Sequence, residues 1–312
     1  MKFYQHAFKA MGTPCEIQLY SQTPAKATQV VNKVIAEIAR LETRYSRYRN
    51  DSFLSKINQI AALGGSISVD AETAGLLNYA ATCHIQSDGL FDITSGILRR
   101  AWRFDQNTLP DPQHLAALLE KVGWHNCRWQ SPTLKFLIPG MELDFGGIVK
   151  EYAADRIAAL CWTEGVQHGL INLGGDIKII GAQPDGNPWR IAIRDPRHPD
   201  GLLQTLLLQQ GALASSGDYE RCITIAGVRY GHILNPKTGW PVQHLAAVSV
   251  AADFCVVAGS AATIAMLKAH NGIQWLEDLS LAHCWVDVTG KTGGSPAHGN
   301  DNHKRPLLGK KG

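Results

Sequence analysis

The residues best placed for chemistry occupy positions 144–150, where the sequence reads DFGGIVK. The segment predicts the end of a strand, a turn of two glycines and a helix whose first turn carries Lys150. Free amide groups at a helix N-terminus attract anions, and glycine lets a phosphate group approach the backbone closely. With Asp144 as a hydrogen-bond acceptor, the pattern predicts a phosphate-binding turn. A plain connection between strand and helix, with Asp144 as its cap, explains the same letters equally well.

Two loops further along carry polar side chains of the kinds that bind ligands. Residues 172–176 (NLGGD) favour a tight hairpin with an aspartate in the turn over a binding site. Residues 215–221 (SSGDYER) suit a ligand-binding loop and an exposed turn equally.

Two side chains near the C-terminal end offer a base and a metal ligand. His232 stands before a turn that the letters NPKTG mark, and histidine is a candidate proton acceptor at neutral pH. A lone histidine is more often structural. Thr263 ends a run of small residues that predicts close helix packing, or a hydroxyl group directed at a hard cation.

Composition excludes several classes of protein. The chain has 312 residues, of which 45% are hydrophobic and 18% charged, which excludes a disordered chain, a coiled coil and a collagen-like fibre. The net charge is +3, and without the four basic residues 304, 305, 310 and 311 it would be −1. No basic face predicts nucleic-acid binding. The common nucleotide, zinc-protease and serine-hydrolase signatures (GxxxxGK[ST], HExxH, GxSxG) are absent.

Cysteine usage and the N-terminal letters predict a cytoplasmic protein. The seven cysteines are widely spaced, form no CxxC pair and fit reduced thiols. The first twenty residues contain no apolar stretch of the kind found in signal peptides, and no lipid-anchor motif. The longest mostly apolar stretch, residues 255–267, is too short to span a bilayer.

The predicted elements indicate an α+β fold, because helices cluster first and strands follow. We predict helices from Pro24, Asp70 and Asp111, at 150–163 and at 254–267. Strands are predicted at 15–20, 142–145, 169–173, 176–180, 189–193, 202–208, 222–225, 245–251 and 282–286. Residues 1–288 are predicted to form one catalytic domain, and 289–312 a flexible basic tail.

Taken in order, several segments resemble the ApbE family, the FAD:protein FMN transferases. They are MGTPC, YSRYRNDS, GLFDIT, LDFGGIVKEYAAD, LINLGGDI, WRIAIRDPR, SSGDYER, HILNPKTGWP and the helix ending in Thr263. The resemblance implies a T-fold-like architecture of two interleaved halves, with mixed or antiparallel sheets and packed helices. It also implies FAD as substrate and Mg²⁺ as cofactor. The implied reaction moves FMN from FAD onto a threonine hydroxyl of an acceptor flavoprotein domain and releases AMP.

The resemblance also implies roles for individual residues. Mg²⁺ would bind the carbonyl of Gly147 and the hydroxyl of Thr263. His232 is our candidate for the base that takes the acceptor proton, with Asp218 as the second candidate. The implied FAD contacts are Met11, Tyr48, Leu90, Phe91, Asp92, Asp144, Lys150 and Ile233.

The sequence departs from the family pattern at Gly259. The family's helix usually carries an aspartate four residues before the metal-binding threonine, and Gly259 takes that place here. The metal site would then depend on carbonyls, waters and phosphates, or recruit Ser260 or Asp287. Two alternatives stay open: an FAD pyrophosphatase that yields FMN and AMP, and an FAD-binding protein without catalysis. Asn235, where the family often has aspartate, is a smaller departure.

Overall fold

The computed structural model describes residues 1–198, 201–219 and 221–295. An antiparallel sheet of eight strands forms the centre of the described chain. Helices cover one face of this sheet, and a two-stranded hairpin covers part of the other. The α+β prediction is confirmed.

The described chain contains α-helices and short 3-10 helices. The 3-10 helices cover Ile93–Arg100, Trp124–Asn126 and Ala269–Asn271. The α-helices are α1 (Pro24–Tyr45), α2 (Phe53–Leu63), α3 (Ala71–Gln86), α4 (Pro112–Leu119), α5 (Val149–Thr163), α6 (Cys255–Leu267) and α7 (Gly272–Asp278). Within the described ranges, no helix combines the length and the apolar composition that crossing a membrane requires.

The strands of the large sheet lie in the order β1-β2-β6-β7-β10-β13-β14-β15, and smaller sheets pair β3-β5-β4, β8-β9 and β11-β12. The strands are β1 (Lys2–Ala10), β2 (Thr13–Ser21), β3 (Ser66–Ser68), β4 (Cys127–Gln130), β5 (Thr133–Phe136), β6 (Gly169–Leu173), β7 (Asp176–Gly181), β8 (Trp189–Arg194), β9 (Leu202–Leu208), β10 (Ala212–Gly217), β11 (Cys222–Ile225), β12 (Val228–Gly231), β13 (Leu245–Ala252), β14 (Ala282–Asp287) and β15 (Thr292–Ser295).

The long helix α1 shows how the sequence builds the helical layer. Thr23 accepts a hydrogen bond from the amide of Lys26, and Pro24 takes the first helical position, where its missing N–H costs nothing. Val30, Val34, Ile38 and Leu41 are fully buried, and their spacing of three or four residues places them on one face. That face packs on β1, β2 and α5.

Alternation along the strands supplies both faces of the sheet. In β6, Ile171 and Leu173 join the core beneath the helices, whereas Leu170 joins a second core under the β8–β9 hairpin. The predicted hairpin at 172–176 is the β6–β7 turn, and it is confirmed. Gly174 has a φ of +64°, and a Cβ there would lie 2.3 Å from Thr13 Oγ1, so only glycine fits this turn.

The prediction of a strand end at residues 142–145 is wrong. The backbone there forms no ladder within the described chain. Side-chain and local partners take the place of a neighbouring strand: Asn58 bonds the amide and carbonyl of Leu143 at 2.8 and 2.9 Å, and the amide of Asp144 donates to Ile93 O at 2.8 Å. The segment is an anchored loop that leads directly into α5.

Two further segments differ from the sequence prediction. Residues 215–217 belong to β10, a central strand between β7 and β13, and its small residues hide the alternation that identifies strands. The predicted tail begins with β15, whose backbone pairs with β14. Residues 296–312, and that part of the tail prediction, lie outside the described residues.

Candidate active site

A cleft of about 980 Å³ opens between one end of the sheet strands, the end of α1 and the start of α5. Separate parts of the chain reach it: the β1–β2 turn, the segment after α1, the loop before the 3-10 turn at 93–100, the loop into α5, the end of β10, residues 232–234 and α6. The cleft therefore gathers residues from Met11 to Leu267, which are 256 positions apart in sequence.

Nearly all of the residues implied by the resemblance line this one cleft. They are Met11, Tyr48, Leu90, Phe91, Asp92, Asp144, Gly147, Lys150, His232, Ile233 and Thr263. Their contact with FAD or a cation stays a prediction. Asp218 is not among the lining residues.

Asp144 is held as an oriented carboxylate. Oδ2 lies 2.8 Å from Arg47 Nη1 and 3.8 Å from Arg99 Nη1, and Oδ1 accepts the amide of Gly146 at 2.8 Å. Burial acts to raise the pKa of Asp144, but the positive charges of Arg99 and Arg47 outweigh it and lower the pKa. The carboxylate is therefore ionised and held in a fixed orientation in the cleft lining.

The amides expected to cradle a phosphate are largely used inside the turn. Gly146 donates to Asp144, and the amides of Ile148 and Val149 both donate to Phe145 O at 2.9 and 3.0 Å. No side chain caps α5 at Ile148. Charge on side chains, rather than these amides, must therefore provide most of the attraction for an anion.

Lys150 is the cation that the first turn of α5 presents to the cleft. Its Nζ lies 2.8 Å from Oδ2 of Asp176, which is 2% exposed at the start of β7. The ion pair holds the ammonium group at the start of β7, and Lys150 lines the cleft together with Gly174 of the β6–β7 turn.

The carboxylate of Asp92 accepts hydrogen bonds that hold the loop before the 3-10 turn at 93–100. Oδ1 accepts from the amide and hydroxyl of Thr94 at 2.8 and 2.7 Å, and Oδ2 accepts from the amide of Trp124 at 2.9 Å. Burial acts to raise the pKa of Asp92, and bonds to His84 and Thr94 lower it. This network places Leu90 and Phe91 on the cleft wall.

His232 supplies an imidazole ring to the cleft lining. Burial, followed by the positive charges of Arg99 and Arg221, lowers its pKa to about 4. Its buried Nδ1 has no hydrogen-bond partner among the described residues. The ring is thus neutral at neutral pH and has a nitrogen lone pair to offer.

Asp218, the second candidate base, is committed elsewhere. Its two oxygens accept from Arg197 at 2.7 and 2.8 Å in a two-pronged pair, and Arg229 lies 4.0 Å away. The side chain is buried outside the cleft lining. Asp218 packs against Gly231, the residue before His232, since a Cβ built on Gly231 would lie 3.0 Å from Asp218 Cβ, but its carboxylate is paired with Arg197.

Glu151 is a cleft residue that the sequence analysis missed. It is 8% exposed, and its Oε2 has no hydrogen-bond partner within the described chain. Burial, followed by the negative charge of Asp176, raises the pKa of Glu151 to about 8. A signal was present, because Glu151 falls on the apolar face of α5 beside Ala154 and Ala158.

The oxygen atoms near Thr263 decide whether a cation fits. Thr263 Oγ1 lies 2.7 Å from Ser216 Oγ, and both line the cleft with Gly147. The described residues contain no cluster of three His, Cys, Asp or Glu side chains that could hold a metal. Hydroxyl and carbonyl oxygens with one carboxylate suit Mg²⁺, which keeps several waters and takes phosphate oxygens from its substrate. The residues present therefore fit such an ion.

Comparison with known proteins agrees with this arrangement. The profile of the ApbE family matches residues 11–285. A protein of Vibrio cholerae named FAD:protein FMN transferase is 30% identical over 262 residues, which cover 81% of this chain and 78% of that protein. The chain therefore belongs to the ApbE family.

Solved structures share the whole architecture. The ApbE protein of Thermotoga maritima superposes with a TM-score of 0.86 at 28% identity, over 94% of this chain and 97% of that one. The flavinyl transferase ApbE of Pseudomonas stutzeri gives a TM-score of 0.84 at 28% identity, over 95% of both chains. The predicted ApbE architecture is confirmed.

Proposed function

We propose that this chain transfers FMN from FAD to a threonine hydroxyl of an acceptor protein and releases AMP. The observation that carries the proposal is the cleft, which gathers the implied FAD residues from separate segments beside a buried neutral histidine. The names of the similar proteins give independent support.

The cleft suits a dinucleotide in size and charge. Its volume of about 980 Å³ is near the top of the roughly 300–1,000 Å³ typical of ligand pockets. Lys150, Arg99 and Arg221 supply positive charge for the pyrophosphate, and Phe91 and Tyr48 offer aromatic surface for a ring system.

The chemistry would be a displacement at phosphorus. The acceptor threonine oxygen forms a bond with the phosphorus of the FMN half, the anhydride P–O bond breaks, and AMP leaves with the electron pair. The hydroxyl proton passes to Nδ1 of His232. The phosphates of bound FAD would offset the charges of Arg99 and Arg221, raise the pKa of His232 and so make it a better base.

A divalent cation would fit between Thr263 and Gly147. Such an ion, when bound, neutralises negative charge on the phosphates and polarises phosphorus. The residues of this chain contribute the hydroxyl and carbonyl oxygens that position it, while Lys150 holds the phosphates from the side of Asp176.

Intact-mass spectrometry tests the proposal. A small acceptor domain is incubated with the protein, FAD and Mg²⁺, and AMP is followed by chromatography. We expect the acceptor to gain the mass of FMN less one water, with one AMP released for each addition. An acceptor whose target threonine is replaced by valine should gain nothing.

Two outcomes would support the alternatives. AMP and FMN formed in equal amounts without any modified acceptor would support an FAD pyrophosphatase, in which water is the nucleophile. FAD that binds tightly and stays intact would support a binding protein without catalysis.

A further inference from the structure

The side chain of Glu151 fills the space beside Gly259. A Cβ built on Gly259 would lie 2.5 Å from Glu151 Cγ and 3.0 Å from both Cδ and Oε1. The end of the Glu151 side chain therefore packs on the bare backbone of α6, at the position where the resemblance leads us to expect an aspartate. A carboxyl group is present at this place, but α5 supplies it.

Packing alone does not account for a glutamate here. Glu151 lies on a face of α5 that is otherwise small and apolar. Its Oε2 has no hydrogen-bond partner among the described residues. A buried polar group without a partner costs free energy. Asp176 adds a second carboxyl group nearby, which makes an additional negative charge more costly. A cation would remove both penalties.

The surrounding groups offer oxygen ligands. Gly147 lies in the turn before α5, four residues ahead of Glu151, and Thr263 follows Gly259 by four residues, one turn along α6. Ser216 joins Thr263 from β10 at 2.7 Å between hydroxyl oxygens. All of the side chains involved, with the Gly147 backbone, line the same cleft.

Asp176 is less available than Glu151. Lys150 Nζ pairs with Asp176 Oδ2 at 2.8 Å, and the amide of Ser215 donates to Oδ1 at 3.3 Å. One carboxylate of the pair is thus neutralised by an ammonium group, and Glu151 is the carboxyl left to meet a cation.

We propose that Glu151 supplies from α5 the carboxylate ligand that position 259 lacks, and that this chain binds a divalent cation of the magnesium class between Glu151 and Thr263. The inference rests on the proposed function, because the phosphates of FAD would complete the coordination. Gly259 and Glu151 then form one unit: the glycine makes the room that the glutamate fills.

The contact between Glu151 and Gly259 predicts how substitutions at these two positions affect cation binding. Gly259→Asp alone should fail to improve the site, because the new side chain meets Glu151 at 2.5 Å and adds a like charge. Glu151→Ala removes Cγ, Cδ and Oε1, the atoms nearest to the new Cβ. The double variant Glu151→Ala/Gly259→Asp should therefore place a carboxylate at the same point from the opposite helix.

The test is a titration of the full chain with Mn²⁺ alone, before any FAD is added. Binding is measured by the loss of the electron paramagnetic resonance signal of free Mn²⁺. We expect Glu151→Gln to weaken Mn²⁺ affinity at least tenfold and the double variant to recover most of it. Glu120→Gln, which removes an exposed carboxylate at the end of α4, is the matched control and should bind as the wild type does. Circular dichroism checks the fold of every variant.

The results separate this inference from the proposed function. Absence of Mn²⁺ binding in the wild type, or equal affinity in folded Glu151→Gln and wild type, overturns the cation site even if FMN is transferred. If Glu151→Gln does not fold, Mn²⁺ binding by the double variant supports the site, and its absence overturns it. Mn²⁺ binding that depends on Glu151, without any flavin transfer, keeps the site and refutes the function.

Discussion

Arg47 Nη1 lies 2.8 Å from Asp144 Oδ2, and Nη2 of the same guanidinium lies 2.7 Å from Glu142 Oε1. One arginine, two residues beyond α1, therefore holds both carboxylates of the loop that leads into α5. All three side chains are mostly buried. This junction sets where the cleft wall around Tyr48 stands relative to the loop at Asp144.

Removal of the Arg47 charge should cost a large share of the stability. Arg47→Met leaves Asp144 and Glu142 buried, with Arg99 and Arg100 as their remaining ion-pair partners among the described residues, so we expect the free energy of unfolding to fall by about 3 kcal/mol. Urea denaturation measures the change. Arg49→Met is the matched control, because its pair with Asp51 is exposed and solvent screens such a pair, so its removal should change the stability much less. Equal losses in the two variants would contradict the junction.

Gly96 should not accept a side chain without a loss of stability, because Asp144 and Arg47 pack directly against its backbone. A Cβ there would lie 2.5 Å from Asp144 Cβ and 3.4 Å from Arg47 Nη1. We expect Gly96→Ala to lower the free energy of unfolding by about 1–3 kcal/mol and to weaken FAD binding by moving Asp144. Denaturation and fluorescence titration with FAD measure the two effects.

Gly75 offers the control for this variant. It lies inside α3, and a Cβ there would meet nothing within 4 Å. Gly75→Ala should raise stability by up to about 1 kcal/mol and leave the affinity for FAD unchanged. Tolerance of alanine at Gly96 with unchanged FAD affinity would show that the tight contact does not position Asp144.

Much of the fold was visible in the sequence, for reasons that particular elements illustrate. Strands β6 to β9 are rich in Leu and Ile and are bounded by Gly and Pro, so their predicted positions hold within one residue. Strand β10 is hard to recognise because Leu213 is the one large apolar side chain in ALASSG. The letters ELDF at 142–145 alternate polar and apolar as a strand does, but the backbone there bonds to Asn58 and Ile93 and not to a neighbouring strand.

Site residues could be predicted from the sequence where a single segment carried the whole motif. The motif around Asp144 and Lys150 is local, so sequence reasoning found it. Gly259 stands out in the sequence as a departure from the family pattern, but its contact with Glu151 joins residues on two different helices, which the sequence does not show. The pairing of Asp218 with Arg197 is likewise a contact between side chains of separate segments.

Tyr48 should stack on the flavin or adenine ring of bound FAD. Its ring is 73% exposed at the rim of the cleft, and Arg221 donates to its hydroxyl at 3.3 Å. We expect Tyr48→Ala to weaken FAD binding by about 1 kcal/mol, or roughly fivefold, whereas Tyr48→Phe keeps the ring and most of the affinity. Quenching of flavin fluorescence measures both constants. An alanine variant with wild-type affinity would remove Tyr48 from the binding residues.

His232 makes stability depend on pH in a direction that its surroundings set. Burial, with Arg99 and Arg221, lowers the pKa of the folded-state ring from 6.5 to about 4. Below pH 6.5 the unfolded chain binds a proton that the folded chain excludes, so the contribution of His232 to stability falls as the pH drops from 6.5 to 4. Between pH 6.5 and pH 4 the free energy of unfolding falls by about 3 kcal/mol through this residue. Above pH 6.5 the ring is neutral in both states, and His232 no longer makes the stability depend on pH.

Replacement of His232 by asparagine should remove this dependence and the catalysis together. The difference in unfolding free energy between His232→Asn and wild type should shift in favour of the variant by about 3 kcal/mol between pH 7 and pH 4. Urea denaturation at several pH values measures it, with His114→Asn, an exposed change on α4, as the control that follows the wild type. Flavin transfer should slow about 100-fold or more, because a general base is lost. A variant that keeps the wild-type rate would show that a group other than His232 takes the proton.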